Sequence, residues 1–330
     1  LPTRAQRPRR TASLQASHGS PRRPATHSPE PAGIVAARAA REAAALVALL
    51  GLNRHPWQRH AELVERAGSA VSALEDELAG VAGQASLLAV DPEPLIAAAA
   101  ERVARWRGQG FRLVSVLDDD YPENLRAVHD RPPLVFVAGR LRPDDRRAIA
   151  VIGSRRAGPD GLRSARELAE DLVAGGVTVV SGLAAGIDTA AHVAALEAGG
   201  RTVAVIGTGL AHSYPPQNAG LQRQIAERGA VISQFWPEAA PSRASFPRRN
   251  AVMSGLALGT VVVEASHRSG ARVQARLALA HGRPVFLLDG LLAQAWAREL
   301  AARPGVHVVR AAAQISEALE RLIAGGALVE

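Results

Sequence analysis

The chain contains no cysteine and no lysine. Without cysteine it forms no disulfide, presents no thiolate nucleophile and builds no Cys-ligated zinc site, a usage compatible with a reducing cytoplasm. Without lysine it lacks the ammonium that a Walker-type phosphate loop and Schiff-base chemistry both require. All 39 basic side chains are Arg, which reads as an Arg-for-Lys compositional bias. No apolar run approaches the roughly 20 residues that span a bilayer, and the Arg-rich start has no apolar secretory core. A soluble, cytoplasmic protein with no membrane contact is expected. A His-Glu-x-x-His zinc motif, an internal repeat, a sustained heptad pattern and a Ser or Cys on a strained elbow are also missing.

What is there supports two folded parts. A chain of 330 residues with 47% hydrophobic content can bury a sizeable core. The formal charge of +8 is unevenly spread: Arg4, Arg7, Arg9, Arg10, Arg22 and Arg23 stand against Glu30 alone in the first thirty residues, a net +5 that leaves +3 for the rest. Pro, Ser and Arg dominate residues 1–32, with too few apolar groups to offset the entropy of ordering them, so a disordered tail is expected there. Residues 33–108 read as a small helical domain of sterile-alpha-motif or helix-hairpin-helix type, led by Ala43, Ala44 and Ala45 into Leu46, Leu49 and Leu50. Its Gly51-Leu52-Asn53 turn suits either a DNA backbone or a plain helix-helix connection.

Residues 109–330 read as α/β. Phe111–Leu117 and Arg131–Gly139 are expected as edge strands joined by a turn-rich segment, since Pro is tolerated at strand starts and turns. Asp118, Asp119 and Asp120 ahead of Tyr121-Pro122 read as a turn and helix start and not as a divalent site, which would need ligands converging from elsewhere. From Ala148 on, strand candidates at 148–153, 177–181, 202–207, 230–233, 260–264 and 284–288 alternate with helical segments. That alternation argues for an extended, Rossmann-like, mostly parallel sheet with helices on both faces. A short strand at 306–309 and a helix over 311–324 close it.

Three strand exits carry ligand-loop character. Gly153-Ser154-Arg155 follows the first strand of the series, and Ser181-Gly182-Leu183-Ala184-Ala185-Gly186 follows the second. Ser266-His267-Arg268-Ser269-Gly270 follows Val261-Val262-Val263. Glycines let the backbone approach a ligand, and the N–H groups opening the next helix attract an anion, so a phosphate is expected at the Ser181–Gly186 loop. Asp188 and His192, four apart on one helix face, suit an acid-oriented histidine or a structural support for the helix start; the pair alone cannot hold zinc. Phe246-Pro247-Arg248-Arg249-Asn250 offers a ring, two cations and an amide at a helix start, the ingredients of a single-stranded nucleic-acid site, or else a core Phe before a capped helix. No catalytic residue, cofactor or metal is expected.

The order of these motifs, with Gly209-Leu210, Tyr214-Pro215, Asp120-Tyr121-Pro122 and Pro132-Pro133-Leu134 between them, resembles the DNA-processing protein A (DprA/Smf) family over roughly residues 40–290. The resemblance implies an extended Rossmann-like domain behind a small helical one. It implies a non-enzymatic role: binding single-stranded DNA and loading the RecA recombinase onto it in natural transformation, as a homodimer formed through the Rossmann-like domain. By motif, Arg155 is expected on DNA phosphate, with Phe246, Arg248, Arg249 and Asn250 along the same groove. Gly153, Ser154, Ser181, Gly182, Gly186, Ser269 and Gly270 would shape it, with Asp188 and His192 as support. The chain departs from the family pattern at Ser233-Gln234, where Ser-Glu is usual. It departs again at Ala271-Arg272-Val273-Gln274-Ala275, where a small residue, a Leu and a Thr-Ala pair are usual, and at Asp289-Gly290, where Pro-Gly is usual and a Gly-x-Asn loop should follow. One groove wall is therefore expected to be rebuilt, with Asp289 adding negative charge beside it. The alternative on the same fold is a sensor of a small nucleotide. A nucleoside-phosphate hydrolase of the lysine-decarboxylase-like type would need a Pro-Gly-Gly-x-Gly-Thr run that the chain lacks.

Overall fold

Good helix formers dominate the first stretch of the computed structural model, which describes residues 32–82, 91–267 and 269–326. The tail expected at residues 1–32 lies, apart from Ala32, outside the described residues. Four helices come first: α1 (Ala32–Gly51), α2 (Trp57–Ala67), α3 (Ala70–Ala82) and α4 (Glu93–Gly108). The apolar stripe Ala45, Leu46, Leu49 and Leu50 buries α1 against α3 and α4. Glu42 turns the chain into α3, its carboxylate accepting from the Ser69 hydroxyl (2.7 Å) and the Ala70 N–H (2.6 Å).

The second part runs β1 (Phe111–Ser115), α5 (Glu123–Arg126), β2 (Leu134–Gly139), β3 (Ala148–Ile152), α6 (Pro159–Ala174), β4 (Thr178–Ser181), α7 (Ile187–Glu197), β5 (Thr202–Val205), α8 (Ala219–Arg228) and β6 (Ala230–Ser233). It continues with α9 (Ser245–Leu256), β7 (Gly259–Val262), α10 (Gly270–Ala280), β8 (Val285–Leu288), α11 (Ala295–Ala301), β9 (Val306–Val309) and α12 (Ala312–Gly326). One sheet takes the order β1-β2-β6-β5-β4-β3-β7-β8-β9. The seven strands from β6 to β9 are parallel, while β1 and β2 extend them antiparallel.

Strand alternation sends side chains to two cores. Ile149 and Val151 of β3 pack with Leu168 and Leu172 of α6, Ile187 and Ala191 of α7, and Ile315 and Leu319 of α12. Ala148, Ala150 and Ile152 face the other core, which continues without a break into the α1–α4 helices through Trp106 and Phe136. Every residue of β3, β4, β5, β6 and β7 is buried, the near-continuous apolar reading of strands covered on both faces.

One expectation needs correction. Of these two strands only β1 is at an edge, the opposite edge of the sheet being β9; β2 lies between β1 and β6, hydrogen-bonded to both. Pro132 and Pro133 precede the ladder and remove no bond from it, and Phe136 is covered by Trp106 and Trp236, with ring centroids at 5.1 and 6.0 Å. In the turn-rich segment, Asp118 accepts from the Ser115 N–H (2.7 Å) and Asp120 pairs with Arg112, so these acids close the turn ahead of α5. Burial pushes the Asp118 carboxyl above the usual carboxylate range. No helix among the described residues is long and apolar enough to cross a membrane.

Candidate nucleic-acid interface

From β3 the chain steps outward through β4, β5 and β6 and then returns to place β7 on the other side of β3. The strand order therefore reverses at β3/β7, and the crevice beyond the carboxyl ends of those strands is where open α/β sheets bind ligands. The three exit loops singled out above meet there and are bonded to one another. The Ser154 N–H donates to the Glu264 carbonyl (2.7 Å), and the Ile187 N–H donates to the Ser154 carbonyl (3.2 Å). The Glu264 carboxylate also accepts from the Gly158 N–H (3.1 Å).

The loop after β4 is built for support. Gly186 has φ +81°, and a Cβ there would fall 2.2 Å from the Ser154 carbonyl oxygen, so both backbone conformation and space demand glycine. Ser181 is fully buried and its hydroxyl donates to the Val151 carbonyl (2.6 Å), which corrects its expected place on the ligand surface: the hydroxyl belongs to the sheet. The expected phosphate seat at the start of α7 is also taken. The Ile187 and Thr189 N–H groups donate to Ser154 and Ala184 carbonyls, and the Asp188 carboxylate accepts from the N–H groups of Gly182 (3.2 Å) and Ala184 (3.4 Å). Burial pushes the Asp188 carboxyl up, opposed by the nearby Arg249 charge and those two donors.

His192 lies one turn on and answers to other partners. Its Nδ1 is 2.7 Å from the Thr202 hydroxyl, which is itself 2.7 Å from the Val179 carbonyl, so two consecutive hydrogen bonds tie the ring to β5 and β4. Burial pushes its pKa down to about 3, and the ring is neutral. Asp188 and His192 are each committed elsewhere and form no acid–base pair.

The working surface is a groove of about 520 Å³ above these loops. Gly153, Ser154, Arg155, Phe246, Arg249, Asn250, Ser269 and Gly270 line it. Gly182 lies beneath its floor and Gly186 against Ser154 and Arg155. Ser242 and Ser245 exchange side-chain-to-backbone hydrogen bonds (3.1 and 3.2 Å), and the Ser245 hydroxyl donates to the Gly207 carbonyl (2.5 Å), which fixes the first turn of α9 on the loop after β5. From that turn the Phe246 ring faces the groove, with the Arg155 guanidinium 5.2 Å from its centroid and the Tyr214 ring 5.5 Å away. Arg249 is buried under Gly182, donates to the Val205 carbonyl (2.9 Å) and keeps its Nε–H without an acceptor. Burial lowers its pKa while Asp188 raises it, and a guanidinium in that position stays charged.

Arg248 is not in the groove. Its guanidinium stands 5.7 Å from the Trp57 ring of α2 and 5.3 Å from the Phe235 ring, so it joins the helical part to the sheet. Successive residues on a helix point in different directions, and here the rotation of α9 turns Arg248 toward Trp57 while Arg249 and Asn250 line the groove. Two groove cations, Arg156 and Arg243, are not singled out by the sequence. Tyr214, which enters there only as a motif residue, stands beside Phe246, and Gln274, read there as part of the rebuilt wall, lines the groove. Among the described residues, Arg155, Arg156 and Arg243 form no ion pair, so three cations face the groove with no carboxylate in contact.

The sequence profile described as DNA recombination-mediator protein A matches residues 112–324. The chain belongs to that family. Over 182 residues it is 42% identical to the DNA processing protein DprA of Streptococcus pneumoniae, a match covering 55% of this chain and 64% of that protein. Over 187 residues it is 44% identical to the Protein Smf of Escherichia coli, covering 56% and 50%. The matched stretches thus span between half and two thirds of those relatives' own lengths. The X-ray structure of DprA from Streptococcus pneumoniae superposes with a TM-score of 0.62 at 31% identity, covering 84% of this chain and 95% of that one. A structure of DNA processing protein A from Helicobacter pylori, described for its single-stranded DNA binding mode, superposes with a TM-score of 0.57 at 25% identity, covering 64% and 96%.

Within the DprA family pattern, the departures of this chain have structural counterparts. Gln274, where the usual Thr-Ala pair would begin, is 1% exposed, lines the groove, and has no partner at either end of its amide. Arg272, in place of Leu, lies 5.3 Å from the Trp296 ring and outside the groove lining. Ser269 caps α10, its hydroxyl accepting from the Ala271 N–H (3.2 Å). The expected negative charge of Asp289 beside the groove does not arise: the carboxylate pairs with Arg310 (3.2 Å) and is not part of the lining.

Proposed function

We propose that the groove binds single-stranded DNA and that the protein acts as a recombination mediator, without catalysis, on the cytoplasmic side of the cell. The observation that carries this reading is the Arg155 guanidinium over the Phe246 ring, with Tyr214 alongside, at the point where the strand order reverses. A base stacks on an aromatic face whatever its identity, and Arg155, Arg156 and Arg243 supply cations along the path of a phosphate backbone. Arg249, buried and one donor short of satisfied, sets a fixed positive charge in the floor. Glycines, Asp188 and His192 hold that floor in place. Loading of RecA onto the bound strand, a part in natural transformation, and a homodimer formed through the Rossmann-like domain extend the same reading, supported by family membership.

Fluorescence anisotropy with oligo-dT tests it. Binding should weaken steeply with salt, because neutralised phosphates release counterions, and should weaken again in Arg155→Ala. Absent or salt-insensitive binding would rule it out. A second reading, a small-nucleotide sensor, draws on Gln274: a buried amide with both ends free suits the hydrogen-bonding edge of one base. Thermal-shift screening against mononucleotides separates the two, since a selective ligand stabilises the folded state by mass action.

A further inference from the structure

The cavity and loop residues above leave one cluster unused, at the opposite ends of α9 and α10 from the groove. His129 and Asp130 precede β2, and His281 follows the last residue of α10. One ligand atom from each lies within 4.8 Å of the other two. The His281 side chain has no exposed surface, and its Nε2 stands 2.8 Å from Asp130 Oδ1, which is also buried. At that distance a hydrogen bond is expected, yet neither atom has a hydrogen-bond partner. Two buried polar atoms this close, neither with a partner in good hydrogen-bond geometry, are costly unless a third group meets both.

We propose that His129, Asp130 and His281 bind a zinc ion. Two imidazoles and a carboxylate form a ligand set that zinc takes readily, with a fourth position left to water. The His129 and His281 rings stand edge to face with centroids 5.4 Å apart. Two imidazoles on one tetrahedral zinc, with Zn–N bonds of about 2.0 Å, bring their centroids to roughly 5 Å. Ser254 Oγ lies 2.9 Å from His281 Nδ1 and orients the ring from behind, as the outer partner of a ligating histidine does. His129 is exposed, so the ion has a way in and the third ligand can swing to close the coordination sphere. The absence of cysteine excludes thiolate zinc but not this nitrogen-and-oxygen site.

The ion would act as a brace. It would tie the segment before β2 to the end of α10, whose first turn lines the groove, and through Ser254 to α9, which carries Phe246 and Arg249. Metal binding of this kind adds to folding stability.

The test uses the full chain without a histidine tag, stripped with a chelator and titrated with zinc in competition with a chromophoric indicator. One zinc per chain is expected, with a rise in melting temperature and, with cobalt substituted, the visible absorption of a tetrahedral centre. His129→Ala removes an exposed side chain and should fold normally while losing at least tenfold in zinc affinity and the melting shift. His281→Gln should do the same. No zinc uptake by the unmodified chain, or undiminished uptake by His129→Ala, would overturn the proposal.

Discussion

Gly182 and Arg249 are in direct contact: a Cβ built on Gly182 would fall 1.6 Å from Nη1 of Arg249. The glycine of this loop therefore makes room for a protein cation and not for a ligand's phosphate. The guanidinium that fills the space is itself bonded to the Val205 carbonyl and cannot swing aside cheaply. Gly182→Ala should destabilise the protein by about 1–3 kcal/mol, the range for overpacking a filled site. Urea unfolding measures it, and an unchanged midpoint would mean that Arg249 is free to move. Oligonucleotide affinity should fall along with stability, because the displaced charge is the one set in the groove floor.

The two halves of the Arg155–Phe246 pair should fail differently. Phe246→Ala removes a stacking surface, so oligo-dT binding should weaken by about 1–3 kcal/mol, with the salt dependence nearly unchanged. Arg155→Ala removes one phosphate contact, so the slope of log K against log salt should become shallower by about 0.7. Arg248→Ala is the internal control. It should leave DNA affinity near that of the parent chain and loosen the helical part from the sheet, a cation–π loss of about 0.5–1 kcal/mol seen by thermal unfolding. A large affinity loss in Arg248→Ala would move the DNA path toward Trp57.

The contrast between Arg248 and Arg249 shows where sequence reading stops. The alternation of buried strands and helices marks β3 to β9, and Gly-bearing exits mark the sheet edge on which the groove opens, because both follow from local periodicity and backbone geometry. Which of two adjacent arginines faces the groove depends on the rotation of α9, and that is set by Ser245 bonding to Gly207, a contact 38 residues away. Ser181 looked like a loop residue because nothing local shows that its hydroxyl reaches Val151. Pro132-Pro133 suggested an edge strand, and only pairing with β6, about a hundred residues on, makes β2 interior. Tyr214 carries a family motif, but its meeting with Phe246 is a tertiary fact. His281 reaches Asp130 by the same kind of long return.

His192 gives the protein an acid sensitivity of known sign. Its folded pKa of about 3 lies below the ordinary 6.5, so between those values the unfolded chain binds a proton that the folded one refuses. The stability contributed by the neutral, buried ring is present above pH 6.5 and is lost as pH falls, by up to about 1.4 kcal/mol per pH unit. Asp188 works the other way, since burial raises its pKa and the folded state holds that proton more firmly in acid. The difference between parent and His192→Asn isolates the histidine. The variant should lose stability at neutral pH through the altered core, yet its urea midpoint should decline less steeply between pH 6.5 and 4. Parallel profiles would show that His192 is not buried neutral.

Gln274 should trade stability against affinity. A buried amide with no partner costs about 1–3 kcal/mol in the free protein, a cost an apolar side chain of similar size avoids. Gln274→Leu should therefore raise the melting temperature. If the amide serves a base edge, the same change should weaken binding of a short oligonucleotide, or of a mononucleotide that the screen identifies, because the ligand then buries its own polar edge against a methyl group. Gln274→Thr, which restores the residue usual in the family, should recover part of that affinity through its hydroxyl. A stable Leu variant with full affinity would show that the amide has no ligand. A destabilised one would show that the amide has protein or water partners in solution, and the rebuilt wall would then be a packing change alone.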